Sequence, residues 1–435
     1  MQLRNRRAEV SIMSLGRFRA IYDDYPRQFW LLVGASFIDM VGNALIYPFL
    51  ALFITDRFDV SIARVGVIFA VFSVAGVAGN TVGGALADHF GRKPVALTAL
   101  VASALGNLAL AFITDFDLLY VLAATQGVVG SVGRPAWEAM MADLLPEEQR
   151  AEGYGIIRML FNVAVTFGPL IGGVLAGMSY VLLFGVDAAT SIITAAILFV
   201  FLRETRPQAA AGGDVPQESI VQTFRGYGAA LRDRVFMAFM LIGAVVWLVY
   251  YQMNSTLAVY LRDEHGIEPQ GFGLLIGLNA LMVVLMQFGI TRWLRRRGYP
   301  AMLVMAAGTA LYAAGFSMFG YVAGYTFFVL AMVIITLGEM LISPVAQATA
   351  ARLAPDHMRG RYMAVLGFGF AMASGSGTWL AGQVSQYLGF EWVWYLAGVF
   401  GTLAAAGYVV MHYAVEEPAN APPEAAARDT VDAAA

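Results

Sequence analysis

Two acids, Asp39 and Glu339, stand inside long apolar runs of the 435-residue chain. An ion in hydrocarbon costs several kcal/mol unless it is paired, hydrated or neutralised, so a carboxylate at such a place marks an ion or proton pathway by default. Asp39 lies ten residues into its run, or about 15 Å along a helix at roughly 1.5 Å per residue, and Glu339 lies about as deep in another run. A plain hydrogen bond to a nearby hydroxyl or backbone group is the competing reading for each. Both acids can bind and release a proton or attract a cation, and we take them as the candidate proton-exchanging pair.

Other charges inside apolar runs are few. Arg134 and Glu138 are four residues apart and can pair on one helix face, with Arg158 at similar depth on the next helix. This cluster reads equally as a structural clamp or as a gate. Asp143, at a helix end, is expected to be solvated or to cap, and Asp187 is open to either reading. Around the acids, aromatic and soft side chains can line a cavity for an organic cation: Asn43, Tyr47, Trp247, Tyr251, Asn254, Asn279, Met282 and Met286. Helix packing is the more common use of such residues.

The elements that must hold these groups follow from composition. Hydrophobic residues make up 59% and charged residues 13%, far from soluble composition, and the mean hydropathy is +0.68. The chain reads as an all-α polytopic membrane protein. Apolar runs and turn signals place twelve transmembrane helices at about 29–54, 64–86, 95–114, 118–144, 152–177, 181–202, 235–262, 270–293, 301–321, 325–353, 361–386 and 392–414. Cysteine is absent, which excludes disulfides, thiol catalysis and cysteine-bound metal. The histidines 89, 265, 357 and 412 lack metal-ligand spacing, so neither a metal nor a cofactor is expected. No nucleophile motif or soluble catalytic domain points to an enzyme.

Of the 27 cationic residues, 22 fall on the amino-terminal side of the spans, which predicts that both termini are cytoplasmic. Residues 1–28 read as a cytoplasmic arm, 29–203 as one six-helix bundle, 204–234 as a polar linker, 235–415 as a second bundle and 416–435 as a disordered tail. The bundles repeat. Gly66 and Gly91 recur as Gly273 and Gly298, each 207 positions later, while Pro135, Pro146, Arg150 and Gly168 recur as Pro344, Pro355, Arg359 and Gly377, each 209 later. At the repeat positions of Asp39 and Glu339 stand Val246 and Gly130, so neither acid is needed to build a bundle.

Between the second and third spans runs GGALADHFGRKPVAL, residues 83–97. Gly84, Gly91 and Lys93 are expected to form a tight cationic turn, with Asp88 between the two helix ends. Gly84, Leu86, Asp88, Gly91, Arg92 and Lys93 resemble the loop signature of the major facilitator superfamily, with His89 where that family usually carries arginine. In the fifth span, Gly168, Pro169, Gly172 and Gly173 resemble the family's antiporter motif, although helix packing explains the glycines equally. A third family motif is broken, because Ala123 stands where an arginine precedes Gln126 and Gly127.

The resemblance covers residues 29–414 and implies two six-helix bundles that rock about a central site. It points to the drug:proton antiporter branch, in which a bacterial inner-membrane protein exports cationic or amphipathic small molecules in exchange for protons. The alternative is a proton-coupled importer or a transporter of lipid-like solutes on the same scaffold, and a membrane-embedded sensor or enzyme is the weaker third. The expected partners are a small-molecule solute, protons and the bilayer, without nucleic acid, and the protein is expected to be a monomer.

Overall fold

The computed structural model describes residues 22, 24–206, 228, 231–355 and 358–416. Most of the expected arm, linker and tail lies outside them. The described chain is helical: α1 Arg27–Ile46, α2 Leu50–Phe58, α3 Ile62–Phe90, α4 Arg92–Phe112, α5 Phe116–Leu144, α6 Glu147–Met178, α7 Tyr180–Phe201, α8 Arg234–Ser255, α9 Leu257–His265, α10 Pro269–Arg297, α11 Ala301–Tyr321, α12 Tyr325–Leu353, α13 Arg359–Leu388 and α14 Glu391–Glu416. Eleven helical stretches among the described residues are long and apolar enough to cross a membrane, α1 and α2 counting as one. With α13, 30 residues long, the long helices number twelve.

Two expected spans are not continuous. Residues 29–54 break at Tyr47–Phe49, a single 3-10 turn, because Pro48 has no N–H to give the carbonyl of Ala44. The run 235–262 breaks at Thr256, and α9 carries on beyond it to His265. The first long helix of each half is thus interrupted at a corresponding place.

The signature loop is also shorter than expected. Helix α3 continues through Gly84 and Asp88 to Phe90, and α4 starts at Arg92, so Gly91 alone joins them. Its φ of 101° and ψ of 157° suit glycine and strain other residues, which accounts for glycine at this position. Asp88 therefore projects from the last turn of α3 and does not sit between the helices.

Helices α1 to α7 pack mainly on one another, as do α8 to α14, and the two sets meet along α3 with α13 and along α6 with α10. Small residues make both seams. A Cβ added at Gly66 would overlap the backbone of Trp379, one at Gly382 would overlap that of Ala63, and Gly173 and Gly273 approach each other within van der Waals range. These contacts lie toward the end of the bundle holding Phe58 and Pro269, here termed the far end. Arg262 of α9 closes the same end, with its guanidinium 3.1 Å from Thr55 Oγ1 and 3.7 Å from Asp56. At the opposite, amino-terminal end the described contact between the halves is thinner: Arg158 Nη1 donates to Gln347 Oε1 at 3.1 Å.

Candidate functional site

A cavity of about 770 Å³ runs from Asp39, Asn43 and Asn107 at mid-helix to Arg134, Glu138, Tyr154 and Arg158 near the amino-terminal end. A second, of about 250 Å³, shares Asn43, Phe72, Asn107 and Gln126 with it and reaches Tyr47, Tyr251 and Ser374. Together they form a chamber that opens toward the amino-terminal end and is roofed by the far-end contacts. Its walls come mostly from the first half.

Asp39 is held by its own half. Ser191 Oγ on α7 donates to Asp39 Oδ1 at 2.8 Å, and Asn43 Nδ2, one turn further along α1, donates to Oδ2 at 3.1 Å. Beside this pair, Asn107 Nδ2 donates to Asp187 Oδ2 at 2.7 Å, and Gln126 Nε2 donates to Asn107 Oδ1 at 3.0 Å. Two polar sets therefore lie side by side, Gln126–Asn107–Asp187 joining α5, α4 and α7, and Ser191–Asp39–Asn43 joining α7 and α1. Asp187 is completely buried, which resolves the open reading in favour of an interior acid.

Glu339 is the centre of the second half. Tyr250 Oη donates to Oε1 at 3.1 Å and Asn279 Nδ2 to Oε2 at 2.8 Å, while Tyr312 stacks on Tyr250. Asn279 Nδ2 also lies 3.0 Å from Thr336 Oγ1. The carboxylate is thus met by two donors and an aromatic wall, and no described cation pairs with it. Asp39 and Glu339 have separate sets of partners and do not touch.

The other candidates scatter. Asn43, Tyr47 and Tyr251 line the chamber, and Arg134, Glu138 and Arg158 line its mouth, where Arg134 Nε pairs with Glu138 at 3.1 Å in an exposed i,i+4 bridge. Trp247 instead donates from Nε1 to Ser374 Oγ at 2.7 Å and stacks on Phe370, a packing role. Asn254, Met282 and Met286 line neither cavity, and Met286 is exposed. Gly168 and Gly172 press α6 onto the backbone of α1 at Ala44 and Leu45, and Gly173 meets α10, with Pro169 between them.

At the signature loop the partners also differ from expectation. Arg92 Nε lies 2.9 Å from Asp143 and its Nη1 3.7 Å from the exposed Asp88, so Asp143 is a paired acid and not a solvated one. Lys93 Nζ donates to the carbonyls of Phe199 and Leu202, at 2.8 and 2.7 Å, as a cation at a helix C-terminus should. Glu204, which the sequence reading passed over, caps α4: it accepts from the N–H groups of Arg92 and Lys93 at 3.1 Å each, and from those of Thr205 and Arg206 at 2.9 Å each. Burial pushes its carboxyl up, but these backbone donors outweigh that and hold it below the usual carboxylate range. Glu204 is 112 residues from the N–H group of Arg92 that it caps and belongs to no motif, so the sequence carries no signal for this role.

The family model described as Major Facilitator Superfamily matches residues 32–360 and again 302–434. The chain belongs to the major facilitator superfamily. Among relatives of this superfamily protein, a Na(+), Li(+), K(+)/H(+) antiporter of Planococcus maritimus is 27% identical over 88% of this chain and 95% of its own. A multidrug resistance protein MdtH of Cronobacter sakazakii is 22% identical over 86% of this chain and 91% of its own. Among solved structures, the nucleoside transporter NupG (D323A mutant) superposes with a TM-score of 0.72 at 14% identity, covering 88% of this chain and all of that one. A POT family transporter in complex with 5-aminolevulinic acid gives 0.71 at 15% identity, covering 89% and 96%. The superfamily member is accordingly a multi-pass membrane transporter and not an enzyme.

Proposed function

We propose that this superfamily member is a proton-coupled antiporter that exports cationic or amphipathic small molecules by alternating access. The observation that carries the reading is that each half holds an interior carboxylate, Asp39 and Glu339, satisfied by neutral donors and not by a described cation. Such an acid can be neutral with a proton or charged beside a cation, and the two occupants exclude each other. Asp39 faces the chamber directly. The chamber's mouth is at the end where most arginines lie, and that excess of cations supports a cytoplasmic mouth.

A second reading is exchange of an alkali cation for protons, favoured by the similarity to the Na(+), Li(+), K(+)/H(+) antiporter of Planococcus maritimus. Everted vesicles or proteoliposomes separate the two. An imposed pH gradient should drive organic-cation dye, and Asp39→Asn or Glu339→Gln should abolish proton-driven accumulation in at least one case while downhill movement survives. Full pH-driven transport by both variants would remove these acids from the coupling step.

A further inference from the structure

Asp187 plays no part in the reading above, although it is 0% exposed on α7 and one turn before Ser191. Its Oδ2 accepts from Asn107, but its Oδ1 has no hydrogen-bond partner. A buried oxygen of this kind is a large cost unless something occupies its lone pairs. Opposite it stands Gly42 of α1, and the place a side chain would take there is ringed by polar oxygens. A Cβ built on Gly42 would lie 3.0 Å from Asp187 Oδ1 and would overlap Thr190 Oγ1. Asp39 lies three residues before Gly42 on the same helix, and Ser191, which donates to Asp39, lies one turn after Asp187. Asp39 in turn accepts from Ser191, so Asp187, Thr190 and Ser191 on α7 stand against Asp39 and Gly42 on α1.

Two carboxylates on facing surfaces of one helix pair repel each other when both are charged, and a cation between them removes that cost. The donors are all hard oxygens, with no nitrogen or sulfur ligand among them, which suits a small inorganic cation. The completely buried Asp187 leaves no room for an organic one. Magnesium keeps several waters and demands octahedral geometry, which a closed pair of helices does not offer. From the other helices packed on α7, α4 contributes the uncharged Asn107, and α6 places no described charged side chain within hydrogen-bond reach of Asp187.

We propose that Asp39 and Asp187, with the hydroxyls of Thr190 and Ser191, form a binding site for one dehydrated alkali cation, which competes there with a proton. It deepens the alkali-cation reading and shares with the organic-cation reading the single residue Asp39. The ion reaches the site from the chamber past Asp39, whose side chain lines that wall.

The test uses the purified full-length protein in detergent with N-methylglucamine as the background cation. LiCl and NaCl are titrated in, and proton release to an indicator dye and the melting temperature are followed. Saturable proton release and a rise in melting temperature with at least one of the two salts are expected, and Asp187→Asn should lose both responses. Because that variant removes a buried charge, it should fold; if it does not, Thr190→Val should weaken the response while the protein still melts cooperatively. No saturable response in the wild type, an undiminished response in Asp187→Asn or in a Thr190→Val used in its place, or a response to MgCl₂ alone would overturn the site. Dye export in alkali-free proteoliposomes is measured separately. Export without any alkali response sinks the site and leaves organic-cation exchange standing, whereas an alkali response without export does the reverse.

Discussion

Tyr47 and Tyr251 hold their hydroxyls 2.5 Å apart across the two halves of the molecule. Tyr47 opens the 3-10 turn that Pro48 imposes on the first long helix, and Tyr251 lies about one turn before the break at Thr256 in its counterpart. The two interruptions therefore face each other over the chamber and are tied by one bond.

Loss of that bond should loosen the roof. Tyr251→Phe keeps the ring and removes the hydrogen bond, at about 1 kcal/mol, or roughly a fivefold shift in the ratio of closed to open far end. In the naturally cysteine-free chain, a cysteine at the buried Ile54 reports it. Labelling of Ile54→Cys by an impermeant thiol reagent should rise in the Tyr251→Phe background, and unchanged labelling would show that the tyrosine pair does not hold the roof.

The glycine seams give a larger effect. Gly66→Ala forces a methyl group onto the backbone of Trp379, which cannot rotate away, and should cost about 1–3 kcal/mol. Gly185→Ala, where nothing lies within 4 Å, is the matched control and should be neutral or slightly stabilising. Equal melting temperatures for the two variants would contradict the close packing of α3 on α13.

Asp143 and Asp88 should separate stability from transport. Asp143→Asn deprives Arg92, whose side chain is 14% exposed, of its near partner and should lower both the melting temperature and the transport rate. Asp88 is 76% exposed and only 3.7 Å-paired here, so Asp88→Ala should leave melting within about 1 kcal/mol of the wild type. If Asp88 closes the amino-terminal end in the opposite conformation, transport alone falls. A drop in melting with Asp88→Ala as large as with Asp143→Asn would refute the assignment.

Acid should act on Glu204. Its folded carboxyl binds a proton less readily than the unfolded one, so its stabilising effect is present above the ordinary carboxylate range and is lost as the pH falls through that range and past the lowered folded value. The wild type should lose melting temperature more steeply than Glu204→Gln over that acidic window. Parallel curves would mean that the backbone cap contributes nothing to stability.

The long helices were legible because apolar runs of membrane length have few other uses, and Asp39 and Glu339 because a charge inside such a run stands out. Pro48 gave a readable warning of the break in the first helix; Thr256 gave none, since nothing about threonine ends a helix. Asp187 was left open because depth in one helix says nothing of Asn107 and Gly42 on two others. Trp247, Met282 and Met286 were placed in a cavity wall by chemical type, and a helical period cannot tell the face toward a chamber from the face toward lipid or toward a neighbouring helix. The pairing of Arg92 with Asp143 was not legible, because the two are distant in sequence.

The hydrogen bonds to the interior acids have a kinetic consequence. Ser191, Asn43 and Asn107 belong to the same half as Asp39 and Asp187, and Tyr250 and Asn279 to the same half as Glu339. A swing of one half against the other leaves every one of these bonds intact, so the activation barrier to that swing contains no term for stripping a carboxylate of its donors. In the proposed rocking motion the contacts that must part at the far end are the glycine seams, the tyrosine pair and those of Arg262. Occupancy of the acids and the pace of the swing can then be tuned by separate substitutions.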